Sequence, residues 1–340
     1  MKKILITGGA GFIGSHTVVA VHQSGYQPVI VDNFSNSEKS VLNGIEKICG
    51  RAFPLHEGDC VDAPFMRSVF KAEGEIAGVI HFAAYKSVNE SLEQPAKYYK
   101  NNIGSLLTLL DVMQEFKSPL LVFSSSCTVY GDPDECPVTE AAPMKETPTP
   151  YGKTKQICEN IIRDVVASGR DIKGVALRYF NPIGAHPTGF IGELPIGVPN
   201  NLVPYVTQTA AGIRDRLTVF GDDYGTPDGS CVRDFIHVVD LAEAHVKALD
   251  YLQGVKEPRC YEVFNCGTGH GHSVKEVVET FEKANGLKLN YKIGPRRPGD
   301  IEQVYANTDR VNALMNWKSK LSLDQALKDA WNWQKMLNKK

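Results

Sequence analysis

At 340 residues the chain has room for about two domains. Hydrophobic residues make up 42% and charged residues 22%, close to globular averages, which excludes disordered, collagen-like and coiled-coil architectures. Thirty-seven basic side chains against 39 acidic ones leave a formal net charge of −2, so no basic field is offered to nucleic acid or anionic lipid. The eight cysteines are scattered without a C-x-x-C pair, against a zinc ribbon or redox dithiol, and no metal site is expected. No stretch approaches the ~20 apolar residues of a membrane span. The apolar run after Met1-Lys2-Lys3 is cut at Gly8, too soon for a signal sequence. These features predict a soluble, reduced, cytoplasmic protein.

The first 180 residues alternate between two textures. Lys3–Thr7, Pro28–Val31, Gly78–Phe82, Leu120–Ser124 and Gly174–Arg178 read as strands, several apolar nearly throughout, as in a parallel sheet buried on both faces. Between them Ser15–Gln23, Ser37–Ile48, Pro64–Lys71, Ala96–Phe116 and Thr154–Val166 read as helices. That alternation predicts an α/β fold with a Rossmann-type doubly wound parallel sheet. After Pro182 glycine and proline crowd in and the alternation is lost. The expected division is a cofactor-binding domain over 1–181 and a smaller, mixed substrate domain over 182–340. A segment of about 233–266 is a candidate to return to the first domain. Near the end, Ser322 is placed to cap a helix carrying Leu323, Leu327, Ala330 and Trp331 on one face.

Two constellations carry chemistry. The first strand runs into Gly8-Gly9-Ala10-Gly11-Phe12-Ile13-Gly14 and then a helix. A glycine-rich turn at a helix N-terminus offers free N–H groups and a positive dipole end to a phosphate, with no side chain in the way. The spacing of Gly8, Gly11 and Gly14 is not the strict G-x-G-x-x-G, but Asp32 closes the second strand. A carboxylate there accepts from an adenosine ribose and repels a 2′-phosphate, which favours NAD over NADP.

The second constellation is Tyr151 and Lys155, four apart and so on one helix face. A phenol is a poor base near neutrality, and a neighbouring ammonium is expected to lower its pKa. Ser124-Ser125-Ser126 ends the fifth strand, where such sheets line the ligand crevice, and Ser126 is placed to relay a proton. Two bland readings stand beside these. His270 and His272 sit in a glycine-rich loop rather than a metal site, and His16 packs or bonds locally.

Together these residues resemble the extended short-chain dehydrogenase/reductase family, and within it the UDP-sugar 4-epimerases, over nearly the whole chain. The stretches that carry the likeness are Gly8–His16, Asp32-Asn33, Gly58-Asp59, His81–Ala83, Asn101-Asn102, Ser124–Gly131, Tyr151–Lys153, Arg178–Asn181, Gly184–Pro187, Pro199–Leu202, Val232–Val238 and Arg296–Asp300. The resemblance implies reversible inversion of UDP-galactose and UDP-glucose at C4, through a transient 4-keto sugar, with NAD tightly bound. It implies Tyr151 as base, with Lys155 and Ser126. It places Phe12, Ile13, Asp32, Asn33, Asn36 and Ser37 on the adenosine and pyrophosphate, and Asp59 and Cys60 at the adenine. Phe82, Ala83, Lys86, Asn101 and Ser124 would flank the nicotinamide side, and Phe180 would close over it. Asn181, Asn201, Leu202 and Phe220 would hold the UDP-sugar, Arg233 and Arg297 its diphosphate, and Asp300 the uridine ribose.

Val304, four residues after Asp300, falls where the resemblance places the sugar 2-substituent. Its intermediate size implies some turnover of UDP-N-acetylglucosamine and UDP-N-acetylgalactosamine. The resemblance also implies a homodimer through helices near 96–116 and 151–168, whose apolar faces could equally be satisfied within one chain. A 4,6-dehydratase or decarboxylase of the same family would need acids where Cys127 and Thr128 stand. A silent NAD-sensing regulator would not need Tyr151, Lys155 and Ser126 together.

Overall fold

The computed structural model describes residues 1–297 and 299–338. Seven strands make one sheet: β1 (Lys3–Thr7), β2 (Gln27–Asp32), β3 (Leu55–Glu57), β4 (Ile76–His81), β5 (Leu120–Ser126), β6 (Lys173–Tyr179) and β7 (Cys260–Cys266). Their order is β7-β6-β5-β4-β1-β2-β3, and every adjacent pair is parallel. Strand order reverses between β1 and β4, the point where sheets of this type open a crevice beyond the strand C-termini.

The near-continuous apolar runs have a simple cause. Successive strand side chains point to opposite faces, and here both faces are covered. Ile4, Ile6, Ile30, Ile80, Val122 and Leu177 enter one core with the helices Phe12–Gln23 and Val238–Gly254. Leu5, Val29, Val31, Val79, Leu121 and Phe123 enter the other, against Ala63–Glu73, Gly104–Glu115 and Pro150–Ala167. Each fully buried aliphatic side chain contributes roughly 1.5–3 kcal/mol.

Two strands lie outside the sequence expectation. β3 is three residues long and half exposed, and β7 joins the sheet beside β6 after an excursion of some eighty residues. The Val238–Gly254 helix, also not foreseen, packs on the Phe12–Gln23 helix. The single helix expected over Ala96–Phe116 is instead broken. A short helix Pro95–Tyr98 passes through a π-turn at Tyr99–Ile103 before Gly104–Glu115. Such turns are inserted where a side chain must be re-aimed, frequently at functional sites.

The remaining residues form short strand pairs around a third core. Asn181–Ile183 pairs with Phe235–His237, and Leu217–Phe220 with Tyr291–Gly294. Val232–Arg233 lies between His272–Ser273 and Gln303–Val304. Helices Leu202–Ala210, Val274–Asn285 and Leu323–Leu337 cover them. Ser322 caps the last helix through the Gln325 N–H at 3.2 Å, and Trp331 packs edge-on against Phe281.

Candidate active site

The turn after β1 is shaped by its glycines. Gly8 has φ +69°, and a Cβ on it would stand 2.9 Å from the Ala83 nitrogen. A Cβ on Gly14 would stand 2.1 Å from the Gly8 carbonyl oxygen, so the Phe12–Gln23 helix can start this close to the turn only with glycine there. Gly11 precedes the helix without a side-chain cap, leaving the Phe12 and Ile13 N–H groups at the open helix end.

Asp32, at the end of β2, accepts from the Ala10 N–H at 2.9 Å, the Phe34 N–H at 2.9 Å and the Ser37 hydroxyl at 2.9 Å. It therefore ties the glycine turn to the loop that carries Asn33, Asn36 and Ser37. Asn33 reaches Asp59 at 3.3 Å, and Cys60 beside it is buried. The expected adenosine-side residues are thus gathered at the C-terminal ends of β2 and β3. Uncapped N–H groups, a turn no Cβ could enter and a carboxylate on the next strand form a donor and acceptor set that fits a dinucleotide.

Tyr151 owes its position to helix-start chemistry. Thr149 caps the helix by accepting from the Gly152 N–H at 3.3 Å, and Pro150 takes the first turn. Gly152 lies against Thr147, 2.2 Å from where a Cβ would sit. Tyr151 then faces Ser126 at the end of β5, whose hydroxyl accepts from Thr128 Oγ1 at 3.0 Å.

Here the electrostatics depart from the expectation. Burial pushes the Tyr151 phenol up to about 12, with the Ser126 hydroxyl acting weakly the other way. Lys155 does not lower it: its ammonium donates to the Ser124 carbonyl at 2.6 Å and lies 5.8 Å from the Tyr151 ring centre. Burial in turn pulls Lys155 down to about 8, while Cys158 and Glu159 favour its charge. The spacing correctly puts both residues on one face, but the ammonium is held by the strand end.

Asn101 donates to the neighbouring Asn102, and Asn102 proves the better-held of the two. It bonds both backbone groups of Tyr85 and the Thr154 hydroxyl, so the π-turn fastens the loop after β4 to the Tyr151 helix. Ala83 and Lys86 lie in that loop, whereas the Phe82 ring turns inward to His245, 4.7 Å between centres. Phe180 is buried beside Val304.

A second buried arrangement escaped the sequence reading. Arg178 forks onto Glu159 at 3.0 and 2.6 Å and donates to the Tyr130 hydroxyl at 2.9 Å. Glu159 also accepts from Ser125. This pair clamps the ends of β5 and β6 to the Tyr151 helix, and removing one partner of such a pair costs ~3–5 kcal/mol. Arg178 opens the Arg178–Asn181 motif, but nothing in the spacing pairs it with Glu159.

The expected substrate residues fall into two groups. Asn181 and Arg233 lie on short strands of different sheets, and the Asn181 N–H donates to the carbonyl of Asp234, the residue after Arg233, at 2.8 Å. Val304 stands beside Arg233 in register and is buried. Further out, Arg297 bonds Asp300 at 2.6 Å and its guanidinium lies 5.7 Å from the centre of the Phe220 ring. The two residues expected on separate parts of the ligand are therefore partners of each other here. Asp300 borders a cavity of about 490 Å³ that Tyr224, Arg296, Glu146 and Asp132 also line. Asn201 precedes the helix begun by Leu202, and its amide donates to Glu193 at 2.6 Å.

Residues 4–267 match the NAD dependent epimerase/dehydratase family, and the chain belongs to it. It is 50% identical to UDP-glucose 4-epimerase 2 of Arabidopsis thaliana, over 98% of this chain and 95% of that one. Among solved structures it is similar to the UDP-glucose-4-epimerase of Stenotrophomonas maltophila with bound NAD and formylated UDP-arabinopyranose. That match has TM-score 0.96 and 44% identity, covering 100% and 99% of the two chains. The UDP-Glc/GlcNAc 4-epimerase of Campylobacter jejuni matches with TM-score 0.84 and 36% identity, covering 99% and 100%.

Proposed function

We propose that the chain inverts C4 of the hexose in UDP-galactose and UDP-glucose through a transient 4-keto sugar, with NAD retained throughout. The observation that carries this reading is the convergence of the glycine turn, Tyr151 and Ser126 on the C-terminal edge of one sheet. The match to UDP-glucose 4-epimerases over almost the full chain supports it.

The Phe12 and Ile13 N–H groups would take the pyrophosphate of NAD. The loop held by Asp32 would take the adenosine, and Ala83, Lys86 and Ser124 would take the nicotinamide side. Bound there, NAD supplies a hydride acceptor and a positively charged ring. Tyr151 accepts the proton of the sugar 4-hydroxyl, directly or through Ser126, and later returns it to the other face. A phenol with a pKa near 12 is a strong base once ionised, and the positive charge of a bound nicotinamide would favour that ionisation. Lys155 fixes the strand end by its bond to Ser124. Arg233 and Arg297 hold the diphosphate while the sugar turns about its link to it; a guanidinium fork suits phosphate oxygens. Thr128 and Cys127 offer no carboxyl for elimination, against a dehydratase.

Two finer readings belong with this one. Val304 leaves more room than a tyrosine would, so N-acetylated UDP-sugars are slower substrates. The chain pairs with a second copy through the helices near 96–116 and 151–168, on the first of which Leu107 stands exposed. The test of function is direct. Purified protein given UDP-galactose, with no added nicotinamide nucleotide, should accumulate UDP-glucose to a fixed ratio. A demand for stoichiometric NADH would overturn it.

A further inference from the structure

Glu193 lies in the loop between the two halves of the site, and no motif marked it. Its Oε1 receives two donors: Asn201 Nδ2 at 2.6 Å and Lys86 Nζ at 3.3 Å. Lys86 follows β4, beside the proposed cofactor. Asn201 starts the Leu202–Ala210 helix, beside the proposed sugar.

Two features make this more than a surface ion pair. First, the backbone at Glu193 is pinned. Its carbonyl accepts from Trp333 Nε1 at 2.9 Å, and a Cβ on the preceding Gly192 would stand 2.5 Å from the Trp333 ring. The Glu193 side chain is 10% exposed, so the carboxylate is presented from a fixed base. Second, Asn201 forgoes its usual task. An asparagine at a helix start ordinarily accepts from the N–H groups two or three residues on, but Asn201 makes no such cap bond and turns its amide to Glu193 instead.

We infer that Glu193 is a positioning residue for the sugar end of the site. It latches Asn201 to the loop that carries Lys86, so that the Asn201 amide meets the hexose hydroxyls already oriented. The inference rests on the UDP-sugar reading above. Lys86 is half exposed, so its charge adds little by itself, and the effect is one of orientation. A latch at the hexose leaves the uridine diphosphate contacts untouched. Losing it weakens UDP-glucose and spares UDP.

Calorimetric titration of the NAD-bound protein with UDP-glucose and with UDP separates the cases. Glu193→Ala should weaken UDP-glucose about tenfold and leave UDP within twofold, with NAD content and melting temperature unchanged. In turnover the loss should fall on KM, with kcat within threefold. Glu193→Gln, which keeps an acceptor for Asn201, should restore most of the affinity. In the double variant with Asn201→Ala, Glu193→Ala should add almost nothing. UDP-glucose binding unchanged in Glu193→Ala would overturn the inference. So would equal weakening of UDP and UDP-glucose, or full additivity with Asn201→Ala. A wild-type protein that binds UDP-glucose and never epimerises it would sink the functional reading alone, because the binding contrast is read without turnover.

Discussion

Lys155→Met separates what the site gains from this ammonium from what the fold loses by it. Lys155 is 3% exposed, and burial pulls its pKa from 10.5 to about 8. The sign follows from proton linkage. Between about pH 8 and 10.5 the unfolded chain holds a proton that the folded chain has released, so this group adds stability as pH rises through that window. Below pH 8 that contribution is absent. A fall of this size is worth ~3 kcal/mol at pH 7. Methionine avoids the cost of the buried charge but strands the Ser124 carbonyl that Nζ holds at 2.6 Å, a loss of ~1 kcal/mol. The variant, freed of cofactor like its parent, should therefore be ~2 kcal/mol more stable at pH 7 while losing turnover. Raising the pH to about 9.5 should remove roughly 2 kcal/mol of that advantage. Urea unfolding of both proteins at the two pH values measures it, and the buried thiols that also titrate there cancel in the difference. A variant less stable than its parent at pH 7, by a margin that does not move with pH, would refute the reasoning.

Other consequences are simpler to check. Tyr151→Phe should lower kcat by ~10²–10⁴ with NAD still bound, and a variant keeping more than a tenth of the parent rate would remove the assigned base. Gly14→Ala places a methyl 2.1 Å from the Gly8 carbonyl oxygen, so the purified variant should carry far less NAD than the parent, as measured by nucleotide release on denaturation. Val304→Tyr should abolish turnover of UDP-N-acetylglucosamine and keep that of UDP-glucose; parallel kinetics on the two sugars decide it.

The parts of this molecule legible in its sequence are those where local chemistry and final surroundings agree. β1, β2, β4, β5 and β6 are buried on both faces, and a double-sided burial writes a nearly unbroken apolar run. β3 is too short and half exposed to leave such a trace. β7 has four half-covered residues before its buried end, so neither a run nor a clean alternation announces it. The helix over Ala96–Phe116 has helical composition throughout, and nothing local announces the π-turn from which Asn102 bonds Tyr85 and Thr154. At the site, four-residue spacing placed Tyr151 and Lys155 on one face. It said nothing of the Ser124 carbonyl, which competes for the ammonium. Glu193 is silent because its two partners stand 107 and 8 residues away, one after β4 and one at the start of the Leu202–Ala210 helix.

The central claim is that hydrogen leaves C4 as hydride and returns to the same carbon without meeting water. Epimerisation run to equilibrium in deuterium oxide, followed by NMR of the UDP-hexoses, tests it most directly. The account predicts no deuterium at C4 in either sugar after many turnovers, while solvent-derived deuterium at C4 would mean proton abstraction from carbon and would contradict it.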